Sequence, residues 1–189
     1  MTIVTVGYLT NLKNLLISEP DEFSSLRGSA LVQKKVRVLV CMGGMYPKGR
    51  EWNFYQDAVA SKEVVSSWPT PIIFCGYEIG VAIKTGSGLR DMPHNNPVRR
   101  SYKLYNNLSD RGSWDQTAVL FAVRGLNSLL KEVWDVVTTG SNHINLDGSN
   151  IWKELPDNQH AFLVRKMQPE RVARIIEDLM IQPSHSNSK

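Results

Sequence analysis

The sequence predicts an open α/β domain, a mostly parallel sheet flanked by helices in the Rossmann-like manner. Three observations lead there. The runs TIVTV, VRVLVCM and PIIFCG are short, apolar and rich in β-branched residues, as buried strands are. Stretches with helical spacing of apolar residues separate them, and strands alternating with helices indicate a parallel sheet. Glycines (Gly7, Gly43–Gly44 and Gly76) then close each run at the point where a strand gives way to a loop.

After TIVTV, GYLTNLKNLLIS places Leu9, Leu12, Leu15 and Leu16 on one helical face, and RGSALVQKK suggests a second helix. VRVLVCM is the clearest buried strand; DAVASKEVVSSW reads as a helix and PIIFCG as the third strand. RDMPHNNPVRR, with two prolines and two asparagines, reads as a loop. SWDQTAVLFAVRGL is a strong helix in which Ser113 and Gln116 form an S-x-x-Q capping box. VWDVV, NHINL and AFLVRK look like later strands, with antiparallel pairing open to them, and QPERVARIIEDLM is a closing amphipathic helix with Pro169 in its first turn.

The 189 residues suit one domain, placed over 1–182, with a small polar tail expected to be disordered at 183–189. Apolar runs are too short to span a bilayer, and MTIVTVG lacks the basic region and apolar core of a signal peptide. The formal net charge of +4 is spread over short, separate basic stretches, which argues against a nucleic-acid partner. Cys41 and Cys75 each fall in an apolar strand and have no metal-ligand spacing. His94, His143, His160 and His185 are scattered and form no catalytic pattern.

In open α/β sheets ligands bind beyond the carboxyl ends of the strands. The segments leaving that edge are VGYLTN, GGMYPKGREWNF and GYEIG, and the second is unusually polar. Glu51 and Asn53 are two apart, so in an extended segment both face one way and Trp52 the other. A carboxylate and a carboxamide together suit a ligand rich in hydroxyls. The plain alternative is a connector in which Asn53 stabilises a turn and Asp57 caps the next helix; on spacing alone it is the stronger reading. Asp115, in the first turn of its helix, is explained by the helix dipole, although a carboxylate there could also serve a hard cation.

Taken together these pieces resemble the inosine/uridine-preferring nucleoside hydrolase family. IVTVGYLTNLKNLL is similar to the family's strand, Gly-x-Leu-Thr-Asn turn and helix; VRVLVCMGGMYPKGREWNFYQDAVASKEVV to its Met-Gly-Gly strand, ribose-binding loop and following helix; WDQTAVLFAV to the helix whose leading aspartate binds calcium. The likeness spans roughly the C-terminal two-thirds of a typical member, so the chain reads as N-terminally truncated relative to it. The resemblance implies Ca²⁺ as cofactor and a small-molecule ribonucleoside as partner. It implies Glu51 and Asn53 on the ribose hydroxyls, Asp115 and the carbonyl of Val6 on the metal, and Trp114 where well-known members carry a leaving-group histidine. Trp52 replaces the usual Phe. The family's Asp-x-Asp-x-x-x-Asp-Asp motif, source of most calcium carboxylates and of the general base, is absent, which leaves the catalytic residues unassigned. The expected function is therefore hydrolysis of a ribonucleoside's N-glycosidic bond. The alternative is a truncated or non-catalytic nucleoside- or sugar-binding relative. An uncovered sheet edge would favour association with another chain, a homo-oligomer included.

Overall fold

The computed structural model describes residues 1–125, 132–155 and 159–181. The expected disordered tail at 183–189, and His185 within it, lie outside these residues. β1 (Thr2–Thr5) leads through α1 (Thr10–Leu16) and α2 (Gly28–Lys35) to β2 (Val38–Met42). A short strand, β3 (Lys48–Gly49), and a short helix, α3 (Trp52–Gln56), precede α4 (Ala58–Ser67) and β4 (Ile72–Cys75). Next come α5 (Tyr77–Gly80), β5 (Lys84–Thr85), a 3-10 turn over Ser87–Asp91, α6 (Pro97–Asn106), β6 (Arg111–Gly112) and α7 (Trp114–Arg124). The remaining elements are β7 (Trp134–Val137), β8 (Ser141–Ile144), β9 (Asn150–Lys153), β10 (His160–Arg165) and α8 (Pro169–Ile181).

The central sheet has the order β1-β2-β4-β10-β7. Its first four strands run parallel and β7 runs antiparallel to β10. Alternation along β2 shows how the layers form. Leu39 and Cys41 enter one core with Leu9, Val32, Val64 and Phe74, on the side of α1, α2 and α4. Val40 and Met42 enter the other with Ile79, Leu120, Phe121, Leu163 and Ile176, on the side of α5, α7 and α8. A parallel strand buried on both faces must be apolar at successive positions, which is why VRVLVCM has no polar alternation. Cys41 and Cys75 are buried free thiols within these layers.

The antiparallel pairing open to the later strands is found for β7 with β10 and for β8 with β9, the latter in a second sheet of order β3-β9-β8, while β10 also joins the central sheet in parallel with β4. Two local expectations need correction. RDMPHNNPVRR is a loop only in its middle. Asn96 accepts the Arg99 N–H at 3.0 Å and Pro97 sits in the first turn, so α6 begins inside it. The S-x-x-Q box does not close, because Ser113 Oγ bonds Thr85 Oγ1 at 2.6 Å and Gln116 Nε2 donates to the Tyr102 hydroxyl at 2.7 Å. Tertiary partners outcompete the local cap there.

The second sheet is fastened to β10 through a neutral imidazole. His160 Nδ1 accepts the Asn142 N–H at 3.2 Å and lies 3.0 Å from Ser141 Oγ. Burial, with His143 adding to it, pushes the His160 pKa down to about 4. A histidine with a depressed folded pKa supports stability above its unfolded value, about 6.5, and that support is lost as pH falls through about 4. The stability difference between the wild type and His160→Gln should accordingly shrink by about 2–3 kcal/mol between pH 7 and pH 4. Urea unfolding of both proteins across that range is the check, and a pH-independent difference would contradict it.

Candidate functional site

The site begins at the end of β2. Gly43 and Gly44 carry the chain out of the sheet, and both are required by space or conformation. A Cβ on Gly43 would sit 2.3 Å from the Phe54 ring, and Gly44 has φ +81°. The Gly44 N–H points at Glu51 Oε2, 3.2 Å away. Glu51 Oε2 also accepts the Phe54 N–H at 3.3 Å, and Oε1 accepts the Asn53 N–H at 2.9 Å. Glu51 is thus the N-cap of α3 and a bridge back to the glycine turn. The condition of an extended segment is not met; the chain turns into a helix after Glu51 because that carboxylate satisfies the free amides of the first turn. Asp57 caps α4 through the Ala60 N–H at 3.0 Å, as the connector reading required.

Glu51 and Asn53 are nevertheless both buried, at 4% and 8% exposure, whereas Trp52 stands out at the rim at 56%. Asn53 Nδ2 donates to the Met42 carbonyl at 3.1 Å. With Nδ2 so engaged, the remaining polar atom of the carboxamide is Oδ1, an acceptor. An ionised carboxylate offers about four lone-pair sites, and three on Glu51 are taken by backbone amides. The pair therefore presents acceptors, which suits hydroxyl groups that donate.

Val6, at the carboxyl end of β1, and Trp114 and Asp115, at the start of α7, come to the same place. A cleft of about 310 Å³ is lined by Val6, Glu51, Asn53, Trp114 and Asp115, with Tyr77 and Arg111 beside them. Every site residue named from the sequence lies on it. Trp114 is held by its indole N–H, which donates to the Tyr77 carbonyl at 3.0 Å, and its ring stacks on Tyr77 with centroids 5.5 Å apart. Sequence reasoning missed Tyr77 and Arg111. The position of Tyr77, directly after the Gly76 that ends β4, was a usable signal; Arg111 reaches the cleft through the β5–β6 pairing, which leaves no trace in hydrophobic periodicity. His143 and His160 lie elsewhere, around a cavity with Ser141 and Trp68.

Burial raises the pKa of Glu51 against the three amide bonds that lower it, and the charge of Asp115 raises it further. Asp115 is exposed to the cleft; the protein around it raises its carboxyl and the Arg111 guanidinium lowers it. Among the described residues no three His, Cys, Asp or Glu side chains gather to hold a metal ion. Calcium takes about six to eight oxygens. The described lining of the cleft offers the carboxylates of Glu51 and Asp115, the Asn53 carboxamide and the Val6 backbone, fewer oxygens than such a shell takes, so these residues do not fit calcium by themselves.

Glu51→Ala should lower stability by about 1–3 kcal/mol, since it strands backbone amides inside the protein. Trp52→Ala, at the exposed rim, should cost less than about 0.5 kcal/mol. Denaturant unfolding of the two variants is the measurement, and equal losses would mean the Glu51 cap carries no weight.

A model of the inosine-uridine preferring nucleoside hydrolase family matches residues 1–172. Among solved structures, the chain is similar to a plant nucleoside hydrolase, the PpNRh1 enzyme, at 18% identity and TM-score 0.61, covering 96% of this chain and 62% of that one. It is similar to an inosine-guanosine nucleoside hydrolase at 19% identity and TM-score 0.67, covering 95% and 61%. It is also similar to an inosine-uridine preferring nucleoside hydrolase from Bacillus anthracis at 15% identity and TM-score 0.58, covering 96% and 60%. The chain thus spans about three-fifths of the length of these structures, and identities this low show likeness of fold. A search of curated proteins finds no match. With the family model matching nearly the whole described chain, this protein belongs to the inosine-uridine preferring nucleoside hydrolase family.

Proposed function

We propose that the cleft binds a ribonucleoside by its ribose, and that the reaction it serves is hydrolysis of the N-glycosidic bond to base and ribose. The observation behind this is the convergence of Val6, Glu51, Asn53, Trp114 and Asp115 on one cleft beyond the sheet's carboxyl edge. Glu51 and Asn53 accept hydrogen bonds from ribose hydroxyls, and Trp114 offers its ring to the base. In a complete site of this family a calcium ion would supply the means to orient and acidify a water. This chain's part is to hold the sugar from atoms already fixed by the backbone, so that binding energy from the ribose serves the transition state. As the ribosyl ring gains positive charge, the carboxylates of Glu51 and Asp115 face it.

A second reading, a nucleoside-binding relative without turnover of its own, is favoured by the short donor set. Only Asp115 and Val6 match metal positions, and no residue of the chain matches the general base. General-base catalysis is typically worth about 10²–10⁴-fold. Under this reading the chain alone binds calcium weakly and releases ribose from inosine or uridine near background. Calcium titration calorimetry and a reducing-sugar assay test it, and robust calcium-dependent ribose release by the 189-residue chain would overturn it.

Both readings require the same sugar contacts. Asn53→Ala removes an acceptor from a buried ligand hydroxyl, and a buried group left unpaired costs about 1–3 kcal/mol. Nucleoside affinity should fall about tenfold or more, whereas Lys48→Ala, on exposed β3, should change it less than about twofold. Equilibrium binding of inosine and uridine is the measurement; equal, small effects would return Asn53 to a purely structural role.

A further inference from the structure

We infer that the first turn of α6 is a binding site for a phosphate-type oxyanion, held by the guanidinium of Arg99. The inference is independent of the nucleoside reading. Asn96, Val98 and Arg99 line neither the ribose cleft nor the cavity that Ser101, Tyr102, Tyr105 and Trp114 wall beside it.

Arg99 is the buried residue of α6, at 9% exposure. Its Nε is sealed from solvent and has no hydrogen-bond partner. The ion pairs found among the described residues, Arg27–Glu19 and Lys166–Asp135, do not involve it. Acids of the neighbouring segments are engaged elsewhere or exposed. Glu177 Oε1 accepts the Gly86 and Gly88 N–H groups, each at 2.9 Å, and Asp110 Oδ1 accepts the Ser87 N–H at 2.7 Å. Asp91 is exposed and forms no ion pair among the described residues. Asn106 Oδ1, also buried and unpaired, lies about two turns further along α6. A helical side chain leans the other way, toward the N-terminus of its helix.

A charged side chain is almost never buried without a partner. Lysine or histidine can relieve the burial by giving up a proton, but a guanidinium cannot. The charge of Arg99 therefore calls for an anion, and the described residues supply none.

The backbone points to the same place. The first turn of α6 has no acid and carries two arginines, Arg99 and Arg100, the reverse of what the helix dipole favours. Asn96 Oδ1 accepts the Arg99 N–H at 3.0 Å, and the Asn96 carbonyl accepts the Arg100 N–H at 3.0 Å. Pro97 has no N–H, which leaves the Val98 N–H without a partner among the described residues. A guanidinium fork takes two oxygens of an oxyanion side by side, and an amide at a helix start takes another. A carboxylate has two oxygens, so a set of this kind suits a tetrahedral oxyanion such as phosphate.

The test is calorimetric titration with inorganic phosphate and with methyl phosphate, a monoester, on the full chain, Arg99→Met and Arg100→Met. Thermal unfolding in phosphate is compared with unfolding in chloride at matched ionic strength. Phosphate should bind the wild type with a Kd of about 1 mM or tighter, and Arg99→Met at least about tenfold more weakly. Arg100→Met removes the same charge from an exposed neighbour and should weaken binding less than about threefold. In chloride Arg99→Met should be at least as stable as the wild type, because it deletes a buried charge that has no partner. In phosphate that order should reverse. Binding of both probes supports a site for the phosphate of a larger molecule, and binding of inorganic phosphate alone supports a site for the free ion. Absence of phosphate binding by the wild type, equal losses in the two variants, or destabilisation of Arg99→Met in chloride would overturn the inference. So would the same phosphate stabilisation of wild type and Arg99→Met, which is the general effect of an excluded salt.

Discussion

The carboxylate of Glu51, closed on the backbone amides of Gly44, Asn53 and Phe54, is the interaction on which the site depends. It joins the exit of β2 to the first turn of α3, two pieces of chain that would otherwise meet water with unpaired amides. Once that cap is set, the helix places Asn53 next to the end of β2, turns Trp52 to the rim and drives Phe54 into the space left by Gly43. Burial of a charge is unfavourable, and it raises the Glu51 pKa even against three hydrogen bonds. The acid is retained in the interior because its partners are fixed amides, which need no reorganisation.

A second set of buried bonds keeps the glycine turn itself in place. Asn150, 2% exposed, accepts the Met45 N–H at 2.9 Å and donates to the Met45 carbonyl at 2.9 Å. Its amide also donates to Asn142, whose own amide reaches the Tyr46 hydroxyl at 3.0 Å. On the other flank the Tyr77 N–H donates to the Gly44 carbonyl at 2.9 Å, and the Tyr46 N–H to Glu78 Oε2 at 3.3 Å. The loops leaving β2 and β4 are thereby stitched to one another and to the β8–β9 pair. Glu51 and Asn53 therefore stand in the cleft with an orientation settled during folding, which is the general condition for a site that binds without a large ordering cost.

Charge on the cleft is mixed. Two acids, Glu51 and Asp115, lie on it, and one cation, Arg111, is shared with the aromatic-walled cavity beside it.

The fold was legible because burial on both faces writes itself into composition. VRVLVCM and PIIFCG are apolar at successive residues, and only a strand between two helical layers requires that. Their order along the chain also pointed to the edge where the cleft lies, since strands of one parallel sheet release their loops at one edge. The resemblance carried by EWN and WD then named Glu51, Asn53, Trp114 and Asp115, and all four share one cleft with Val6. Other features had no sequence signal. The helix beginning at Glu51 was hidden because a single carboxylate, reaching back seven residues to Gly44, overrides the extended pattern its neighbours suggest. The S-x-x-Q box stayed open because Thr85 and Tyr102, distant in sequence, take both of its side chains. Arg111 entered the cleft only because β5 and β6 pair and carry it there. Sequence by itself determined the layers and the edge, for these follow from repeated burial; tertiary structure decided which side chains line the cleft, for that follows from single contacts between distant residues.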